Sequence, residues 1–389
     1  MHGLWLFLHY FFLSICLCGK LFDAFFIFAQ TVVHVPSLLP LLHHQLRLNN
    51  INLMSLLASF RALTLIPYLF LYARFCLGAT VDEWRSRSIY QVITDRFALS
   101  QGTLWMPCHT DLGPYCGGTW RGILENLDYI QGMNFDAIWI SPVVAQLPQL
   151  TPDGWSYAGY WQQDLYTINS RYGSLDDLHA LIDAVHERGM FFMMDIVVNH
   201  MAFSGAANNI DYSILNPFND AKYYHHYCEM DYSGKNLTSL EECWLGSWFV
   251  PLADLRTEDQ AVQEIFGDWI EEMVANYSVD GLRIDAGVNV QPDFFTDFVK
   301  RAGVFATTEV YLSDDSSACK WQDTSGSILN YPLYWPLSSA FTHGGNISGL
   351  VDMMESEKSN CRDTTVLGTF SEVSASAPAQ RRRDWTDRA

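Results

Sequence analysis

Residues 260–285 read QAVQEIFGDWIEEMVANYSVDGLRID, and this stretch contains an amphipathic helix that runs directly into a short strand. Its first part has an apolar side chain at every third or fourth position, the spacing of a helix that buries one face. The short run Gly-Leu-Arg-Ile at 281–284 follows, and a carboxylate, Asp285, closes it. A helix that leads into a strand with a polar end is the repeating unit of a parallel α/β sheet.

The same unit recurs along the chain from residue 86 onward. A second helix is predicted to begin at Ser174, which forms a Ser-x-x-Asp capping box with Asp177, and to stop at Gly189. Seven apolar or β-branched runs are candidate strands, at residues 88–93, 137–140, 191–198, 281–284, 305–310, 327–329 and 365–370. No Gly-rich phosphate turn of a doubly wound sheet is present. We therefore predict an α/β fold of the TIM (β/α)8 barrel type, incomplete, with about seven strands.

The segment 199–254 is too long for a simple connection between the third and fourth candidate strands. It also carries Cys228 and Cys243. We predict a small subdomain, inserted after strand 3, that covers the mouth of the barrel.

The charge balance excludes one large class of partners. The 389 residues include 23 basic and 43 acidic side chains, a formal net charge of −20 that repels nucleic acid and anionic membrane surfaces. Thirteen Trp and nineteen Tyr offer many flat amphipathic faces of the kind that stack on sugar rings, although most aromatic side chains in any protein are core. A neutral substrate suits this composition.

The cysteines and the N-terminal region point to an oxidising compartment. The six cysteines after residue 78 form an even set without the CxxC spacing of a zinc site, which favours disulfides. Residues 54–78 have the layout of a signal peptide, with Ala79 as the mature start, and three sequons begin at Asn236, Asn276 and Asn346. Residues 1–53 are then a doubtful extension, explained by a start codon assigned too early or, alternatively, by a membrane anchor. We expect the protein to be extracellular.

Polar residues that close the candidate strands are the first place to look for chemistry, because barrel enzymes react at the carboxyl ends of their strands. Four such ends carry reactive side chains, at Asn199-His200, at Arg283 and Asp285, at Glu309, and at Glu372. Retaining glycosidases need two carboxylates about 5 to 5.5 Å apart, one as nucleophile and one as acid/base. Asp285 and Glu309 on adjacent strands would provide that spacing.

Several motifs, in order and spacing, carry a family resemblance. They are Tyr115-Cys116-Gly117-Gly118-Thr119-Trp120, Gly159-Tyr160-Trp161-Gln162-Gln163-Asp164, His186-Glu187-Arg188-Gly189-Met190, the run from Asp195 to His200, Asn276-Tyr277-Ser278-Val279-Asp280-Gly281 and Gly281-Leu282-Arg283-Ile284-Asp285. The last resembles a signature of glycoside hydrolase family 13, and residues 79–370 resemble the secreted fungal α-amylases. This resemblance makes residues 79–372 a partial catalytic barrel, with the inserted subdomain at 199–254.

The resemblance implies a role for each residue of the site. Asp285 would be the nucleophile that forms a glucosyl-enzyme, and Glu309 the acid that protonates the departing oxygen and later deprotonates water. Arg283 would keep Asp285 ionised and oriented. The substrate-binding residues would be His200, a hydrogen-bond donor to a sugar hydroxyl, Tyr160, which stacks on the sugar, and Trp161, which supports Tyr160.

The resemblance also implies a calcium ion that ties the inserted subdomain to the barrel, a role that suits hard oxygen donors. Asn199 and Asp254 would supply side-chain oxygens, and Glu241 and Asn289 main-chain carbonyls. The implied disulfides pair Cys108 with Cys116, Cys228 with Cys243, and Cys319 with Cys361.

The sequence departs from the family at three places. Val288-Asn289 stands where the family has Lys-His, and Ala158 stands where a His precedes Gly-Tyr-Trp, which removes hydrogen-bond donors near the leaving group. After Phe370 the family reads Phe-x-Glu-Asn-His-Asp, whereas this chain has Val-Ser-Ala at 373–375, so the third catalytic carboxylate is missing. Residues 373–389 are expected to be a non-homologous tail.

The predicted function is endo-hydrolysis of internal α-1,4-glucosidic bonds in starch or glycogen, with retention of configuration. Two alternatives stay open: an α-glucan transferase of cell-wall metabolism, and a catalytically inactive truncated homologue. The expected partners are starch, glycogen or maltooligosaccharides and no nucleic acid. We expect a monomer that meets a membrane only if the N-terminal apolar segment is retained.

Overall fold

The computed structural model describes residues 79–103, 108, 113–232 and 236–370. The predicted extension at 1–53, the signal peptide at 54–78, Glu372 and the tail at 373–389 lie outside this part of the chain. All of the described residues belong to one unit by their contacts. None of the helices within these ranges combines the length and apolar character needed to cross a bilayer.

The described residues form strands β1 to β11 in three sheets. Their bounds are β1 Ile89–Val92, β2 Ala137–Ile140, β3 Val144–Gln146, β4 Gln162–Ile168, β5 Phe191–Val197, β6 His200–Ala202, β7 Leu245–Gly246, β8 Pro251–Asp254, β9 Gly281–Asp285, β10 Phe305–Thr308 and β11 Ser327–Ile328. The main sheet has six strands in the order β1-β2-β5-β9-β10-β11, and every neighbouring pair in it is parallel.

This parallel sheet is a partial barrel wall, so the predicted fold class is confirmed and six of the seven candidate strands are found. The seventh candidate, 365–370, is wrong as a strand: Thr364–Val366 is a 3-10 turn, and only Gly368 pairs with Leu329, in a parallel bridge. The local reason is Asp363, whose side chain accepts a hydrogen bond from the Thr365 N–H at 2.9 Å and holds the turn. The segment nevertheless lies beside β11, where a barrel places its next strand.

Helices α1 to α11 fill the connections between the strands. They are α1 Val81–Trp84, α2 Thr94–Phe97, α3 Trp120–Glu125, α4 Leu127–Gly132, α5 Leu175–Glu187, α6 Leu237–Glu242, α7 Gln260–Tyr277, α8 Pro292–Ala302, α9 Asp315–Ser325, α10 Tyr331–Ala340 and α11 Ser348–Asn360. The predicted capping box is present, because Ser174 and Asp177 bond each other's backbone N–H groups at the start of α5.

The long helix α7 shows why residues 260–285 direct the fold. Its apolar stripe buries Val262, Phe266, Trp269, Ile270 and Met273 in the main core. The helix then ends at a residue in the left-handed conformation, Ser278, and the chain turns directly into β9. A one-sided helix followed by a fully buried strand has to pack back onto the sheet that it leads into.

The amino ends of the strands are covered by Trp84 of α1. Its ring stacks on Phe305 and meets Phe191 edge-on, with centroids 5.3 and 5.2 Å apart. Its indole N–H donates to the carbonyl of Asp280 at 3.0 Å. Trp84 thus packs helix α1 against the amino ends of β5 and β10.

Between β5 and α7 the chain leaves the barrel wall and builds a separate antiparallel sheet, in the order β6-β8-β7. His200 pairs with Asp254 in this sheet, so both ends of the segment meet beside the end of β5. Helix α6 of the same segment packs against the 3-10 turn Gly287–Asn289, which follows β9.

Three disulfides join the cysteine pairs that the family resemblance implies. Cys108 pairs with Cys116, Cys228 with Cys243, and Cys319 with Cys361, with Cα–Cα separations of 5.4, 4.8 and 5.0 Å. The disulfide prediction is confirmed.

Candidate active site

The neighbouring strands β9 and β10 bring two carboxylates side by side. Asp285 is the last residue of β9, and Glu309 directly follows β10. The ladder pairs Ile284 with Thr308, and the Glu309 N–H continues it with a 2.8 Å bond to the Ile284 carbonyl. Parallel strands in register therefore place both side chains at the same edge of the sheet.

Arg283 holds these carboxylates from within β9. Its Nη1 donates to Asp285 Oδ1 at 2.7 Å, and its Nη2 lies 2.7 Å from Glu309 Oε2. The guanidinium is almost fully buried and lies over the Trp139 ring, 5.1 Å from its centroid. One fixed cation thus orients both acids.

Asp195, in the middle of β5, is a third buried carboxylate of the cluster. Both of its oxygens accept from Arg283 Nη1, at 3.0 and 3.2 Å. Its Oδ2 also accepts from the Tyr160 hydroxyl at 2.8 Å and from the Trp139 indole at 2.9 Å. Asp195 therefore fixes the positions of both the cation and the tyrosine.

Glu309 is held from the other side by two further donors. The Ala286 N–H donates to its Oε2, and the Tyr331 hydroxyl donates to its Oε1, each at 3.0 Å. Ala286 has a φ of 51°, a left-handed conformation that non-glycine residues seldom adopt and that is stored strain at many functional sites. The next residue must be glycine, because a Cβ at Gly287 would lie 2.0 Å from the Thr308 methyl group.

The acids of this cluster differ in pKa because their surroundings differ. Burial raises the pKa of Asp285 well above its ordinary value, and the nearby charges of Glu309 and Asp195 raise it further, although Arg283 opposes them. Burial would also raise the pKa of Glu309, but Arg283, the Ala286 N–H and the Tyr331 hydroxyl hold it below its ordinary value. The two acids therefore titrate as a coupled pair, with the pKa of Asp285 shifted upward and that of Glu309 shifted downward.

The aromatic candidates lie next to this cluster. Tyr160 lines a cavity that Asp285 and Glu309 also line, and its hydroxyl donates a hydrogen bond to Asp195. Trp161 packs beside it against a small apolar cluster that includes Leu147 and Val250, and its backbone N–H donates to the Gln146 side chain at 2.7 Å.

The ring of His200 already forms a hydrogen bond within the protein. Its ring is buried, and Nε2 lies 3.0 Å from the Tyr160 carbonyl, which can only accept, so Nε2 carries the proton and donates it there. Burial lowers the pKa of His200 to about 4, which keeps the ring neutral at neutral pH. In this geometry His200 fixes the backbone of Tyr160, and a hydrogen bond to a sugar would have to share or replace that contact.

The four candidate calcium ligands lie where the inserted segment meets the barrel. Asn199 and Asp254 are both buried, and the His200–Asp254 pairing brings them together. The Asn289 amide donates to the carbonyl of Leu240 at 2.8 Å, which links the turn after β9 to the helix that carries Glu241.

The buried carboxylate of Asp254 is only partly hydrogen-bonded within the described residues. Its Oδ2 lies 2.7 Å from His225 Nδ1, but its Oδ1 is buried without a hydrogen-bond partner in the described part of the chain. Burial raises the pKa of Asp254 to about 7. His225 and the nearby Asn199 amide oppose this rise, although the Asn199 amide does not form a hydrogen bond of normal geometry with Asp254. A buried carboxylate oxygen beside an amide suits a hard cation such as calcium. The described residues hold no cluster of three or more His, Cys, Asp or Glu side chains able to bind a metal, so such a site would depend on amide and carbonyl oxygens.

The acids face a large cavity of about 1950 Å³. Asp285 and Glu309 line it on the barrel side, and Tyr227 and Trp248 of the inserted segment line it as well. Val288 and Asn289, two of the positions that depart from the family pattern, also face it. Residues at the amino ends of the strands line it too, so its volume includes the open interior of the partial barrel.

Three residues of the cluster were missed by reading the sequence. Asp195 is an acid within an apolar strand rather than at its end, and that buried charge was the available signal. Trp139 and Tyr331 gave no signal, because an aromatic residue in a strand or at a helix start is ordinary core.

Comparison with known proteins gives consistent matches. Residues 91–371 match the family model described as the alpha amylase catalytic domain. The chain is 48% identical to alpha-amylase 1 of Lipomyces kononenkoae over 295 residues, and 46% identical to alpha-amylase 2 of Schwanniomyces occidentalis over 305 residues. The solved structure of an alpha-amylase from Malbranchea cinnamomea is similar with a TM-score of 0.73 and 48% identity.

These matches cover most of this chain but only part of its relatives. They span 75%, 78% and 76% of the chain, and 47%, 60% and 62% of the Lipomyces, Schwanniomyces and Malbranchea proteins. The chain thus spans between about half and two thirds of the length of the proteins that it matches.

Proposed function

Because the chain belongs to the alpha-amylase family, we propose that it hydrolyses internal α-1,4-glucosidic bonds of starch or glycogen with retention of configuration. The observation that carries this proposal is Arg283, which holds Asp285 and Glu309 together at the edge of a large cavity. A retaining glycosidase needs two neighbouring carboxyl groups, one as nucleophile and one as acid/base, and adjacent strands can supply them.

In the proposed first step, Asp285 attacks the anomeric carbon while Glu309 gives its proton to the glycosidic oxygen, so that the glucan on that side leaves as an alcohol. In the second step, Glu309 takes a proton from water, the hydroxide oxygen bonds to the anomeric carbon, and the bond to Asp285 breaks. Two inversions at one carbon give net retention.

These roles require one proton to change place. Without a ligand, the opposite pKa shifts of the two acids, upward for Asp285 and downward for Glu309, favour Asp285 as the holder of the proton that the pair shares. We infer that a bound sugar, by excluding water and approaching Glu309 with its glycosidic oxygen, shifts this shared proton to Glu309. Asp285 then becomes the ionised nucleophile, stabilised by Arg283.

The positions of three side chains in the cavity support their proposed role in binding the substrate. Tyr160 would stack on the sugar at the cleavage point, with its hydroxyl anchored on Asp195 and with Trp161 packed beside it. His200 would assist by holding the Tyr160 backbone and by sharing its proton with a sugar hydroxyl.

Calcium would bind Asn199 and Asp254 through side-chain oxygens and Glu241 and Asn289 through carbonyls. The ion would join the inserted segment to the barrel and satisfy the unpaired Asp254 oxygen. Its role is structural, and no step of the chemistry passes through it.

The principal competing proposal is an inactive glucan-binding homologue. Its motivation is the sequence after Phe370, where Val-Ser-Ala at 373–375 stands in place of the family's third catalytic carboxylate. A glucan transferase is the second competitor, supported by the apolar Val288 on the cavity wall.

The compartment and partners are proposed on the same basis. Three disulfides and the signal-peptide layout of residues 54–78 support secretion of residues 79–372 as a catalytic unit, with the inserted subdomain at 199–254. The ligands would be starch, glycogen or maltooligosaccharides, bound by a monomer.

The deciding experiment measures reducing ends and products from starch and maltoheptaose with the full chain. We expect starch to be cut into shorter products with the α-anomeric configuration by NMR, and we expect Glu309→Gln and Asp285→Asn to abolish this activity. Asp293→Asn, at an exposed carboxylate in the first turn of α8, is the matched control and should retain it.

Each competing proposal has its own signature in that experiment. Products longer than the added maltooligosaccharide would identify a transferase. Oligosaccharide binding without Glu309-dependent turnover would identify an inactive homologue, and either result would overturn the hydrolase.

A further inference from the structure

The hairpin between β7 and β8 presents two large aromatic side chains to solvent. Trp248 and Phe249, at its tip, are 46% and 52% exposed. Trp248 lines the same cavity as Asp285 and Glu309 but comes from the inserted segment rather than from the barrel wall. Trp248 therefore has apolar surface that the core does not cover.

The hairpin tip is held in one conformation. The Ser247 hydroxyl accepts from the N–H groups of Phe249 and Val250, each at 3.0 Å, and donates to the Asp153 carboxylate. Gly246 has a φ of +86°, and a Cβ there would lie 2.3 Å from the Val250 carbonyl, so the turn is as tight as glycine allows. The loop therefore presents Trp248 at little cost in conformational entropy.

A second aromatic residue extends this surface. The Tyr227 ring, which is 37% exposed, meets Trp248 edge-on with centroids 6.0 Å apart, and it is backed by the buried Trp244 at 5.4 Å. The Cys228–Cys243 disulfide joins the residues next to Tyr227 and Trp244. The backbone N–H of Trp244 also donates to the Cys228 carbonyl at 3.1 Å. We call Tyr227, Trp244 and Trp248 the rim platform.

The chemistry around the rim platform selects its ligand. Two carboxylates, Asp153 and Glu229, line the cavity beside it and would accept hydrogen bonds from hydroxyl groups. They disfavour an anion, as does the net charge of −20. A flat apolar face beside acceptors suits a neutral polyhydroxylated ring.

We propose that the rim platform is a remote binding site for a glucose unit of the same α-glucan chain whose cleavage point lies between Asp285 and Glu309. This inference rests on the proposed function, because it names an additional contact for the same substrate. Contact at two points of one cavity makes the second contact intramolecular, so long chains bind more tightly than short ones.

The test separates binding from turnover by use of the full chain carrying Glu309→Gln. Calorimetric titration gives Kd values for maltotriose and maltoheptaose, with and without Trp248→Ala. We expect the variant to weaken maltoheptaose binding about tenfold, which corresponds to about 1.4 kcal/mol, and to change maltotriose binding less than twofold. Trp248→Phe, which keeps a ring, should recover most of the lost affinity.

Phe341→Ala is the matched control, because this ring is 80% exposed at the end of α10 and does not line the cavity. Its Kd values should equal those of the parent. If Trp248→Ala affects both oligosaccharides equally, or neither, the rim platform is not a glucan site, while the proposed function stands. If the parent chain binds neither oligosaccharide, both proposals fail together.

Discussion

Asp195 accepts hydrogen bonds from Nη1 of Arg283 with both of its carboxylate oxygens, at 3.0 and 3.2 Å. The same Nη1 reaches Asp285 at 2.7 Å, so one guanidinium nitrogen joins carboxylates of the adjacent strands β5 and β9. Three acids share one buried cation, which leaves an excess of negative charge that a proton must relieve. Asp195 thus acts on the chemistry through its neighbours.

Asp195→Asn keeps the shape of the side chain and removes its charge. We expect kcat/KM on maltoheptaose to fall by about a hundredfold, because Arg283 and Tyr160 lose a charged partner. The negative charge of Asp195 raises the pKa of Asp285, which is the higher pKa of the acid pair, so its removal should lower that pKa and move the alkaline limb of the pH profile to lower pH.

A purely structural role would lower activity without moving that limb. The measurement is kcat/KM from pH 3 to pH 8, with thermal unfolding to verify the fold. Asp183→Asn, on the exposed face of α5, is the control for loss of an acid.

Tyr331→Phe removes one hydroxyl from a buried ring and leaves its packing intact. That hydroxyl donates to Glu309 Oε1 at 3.0 Å and so stabilises the ionised carboxylate. Its loss should raise the pKa of Glu309, which is the lower pKa of the acid pair, and so move the acidic limb of the kcat/KM profile upward by roughly half a pH unit to one unit. Tyr334→Phe in the same helix should leave the limb in place, and an unmoved limb in Tyr331→Phe would remove Tyr331 from the site.

The repeating pattern of the sequence was sufficient for the barrel wall and for the strand-end acids. Helix α7 and strand β9 follow from apolar spacing alone, and Asp285 and Glu309 are polar residues that close buried strands. The prediction of a strand at 365–370 was wrong because Asp363 supplies a side-chain acceptor for a turn, and a local hydrogen bond outweighed β-branched composition.

The rest of the site depends on contacts between residues that are far apart in sequence. Asp195 and Arg283 are separated by 88 positions, and a search at strand ends excludes an acid in the middle of a strand. Tyr331 reaches Glu309 only because β11 returns the chain beside β10. The exposure of Trp248 is a property of the folded hairpin, and composition gives no means of separating it from core aromatics.

Asp363 couples the turn before Gly368 to the residue that directly follows helix α1. Its carboxylate bonds the Thr365 N–H and hydroxyl and lies 2.8 Å from Arg85 Nη1. Hydrogen bonds from Thr365, followed by the one from Arg85, lower the pKa of Asp363 to about 2. Because the pKa of Asp363 is lower in the folded state than in the unfolded state, its ionised carboxylate stabilises the fold fully above about pH 4. This stabilisation is lost as the pH falls toward 2.

Asp363→Asn should therefore lower Tm slightly at pH 7, by about 1–2 °C, because it keeps the turn acceptor and loses a partly exposed ion pair. The difference from the parent should shrink between pH 4 and pH 2. Differential scanning calorimetry at pH 7, 5 and 3 provides the measurement. A difference that grows as the pH falls would contradict this reading of Asp363.

Asp254 offers the clearest test of the proposed calcium site. One of its buried oxygens has no hydrogen-bond partner in the described residues, and burial raises its pKa to about 7, so the ionised form needs more compensation than His225 provides. Calcium would supply that compensation and join Asn199, on the barrel side, to the inserted segment. An ion that binds only the folded state at about a hundred times its Kd adds about 2.7 kcal/mol of stability.

We therefore expect EDTA to lower the Tm of the chain by several degrees, and excess calcium, but not magnesium, to restore it. Asp254→Ala should abolish this calcium-dependent shift, because the ion loses its single carboxylate ligand. Asp259→Ala, at a partly exposed carboxylate that precedes α7 and pairs with Arg256, should keep the full shift. An equal response to calcium in both variants would place the ion elsewhere. No response in the parent chain would leave His225, which lies 2.7 Å from the other Asp254 oxygen, as the partner that compensates this buried acid.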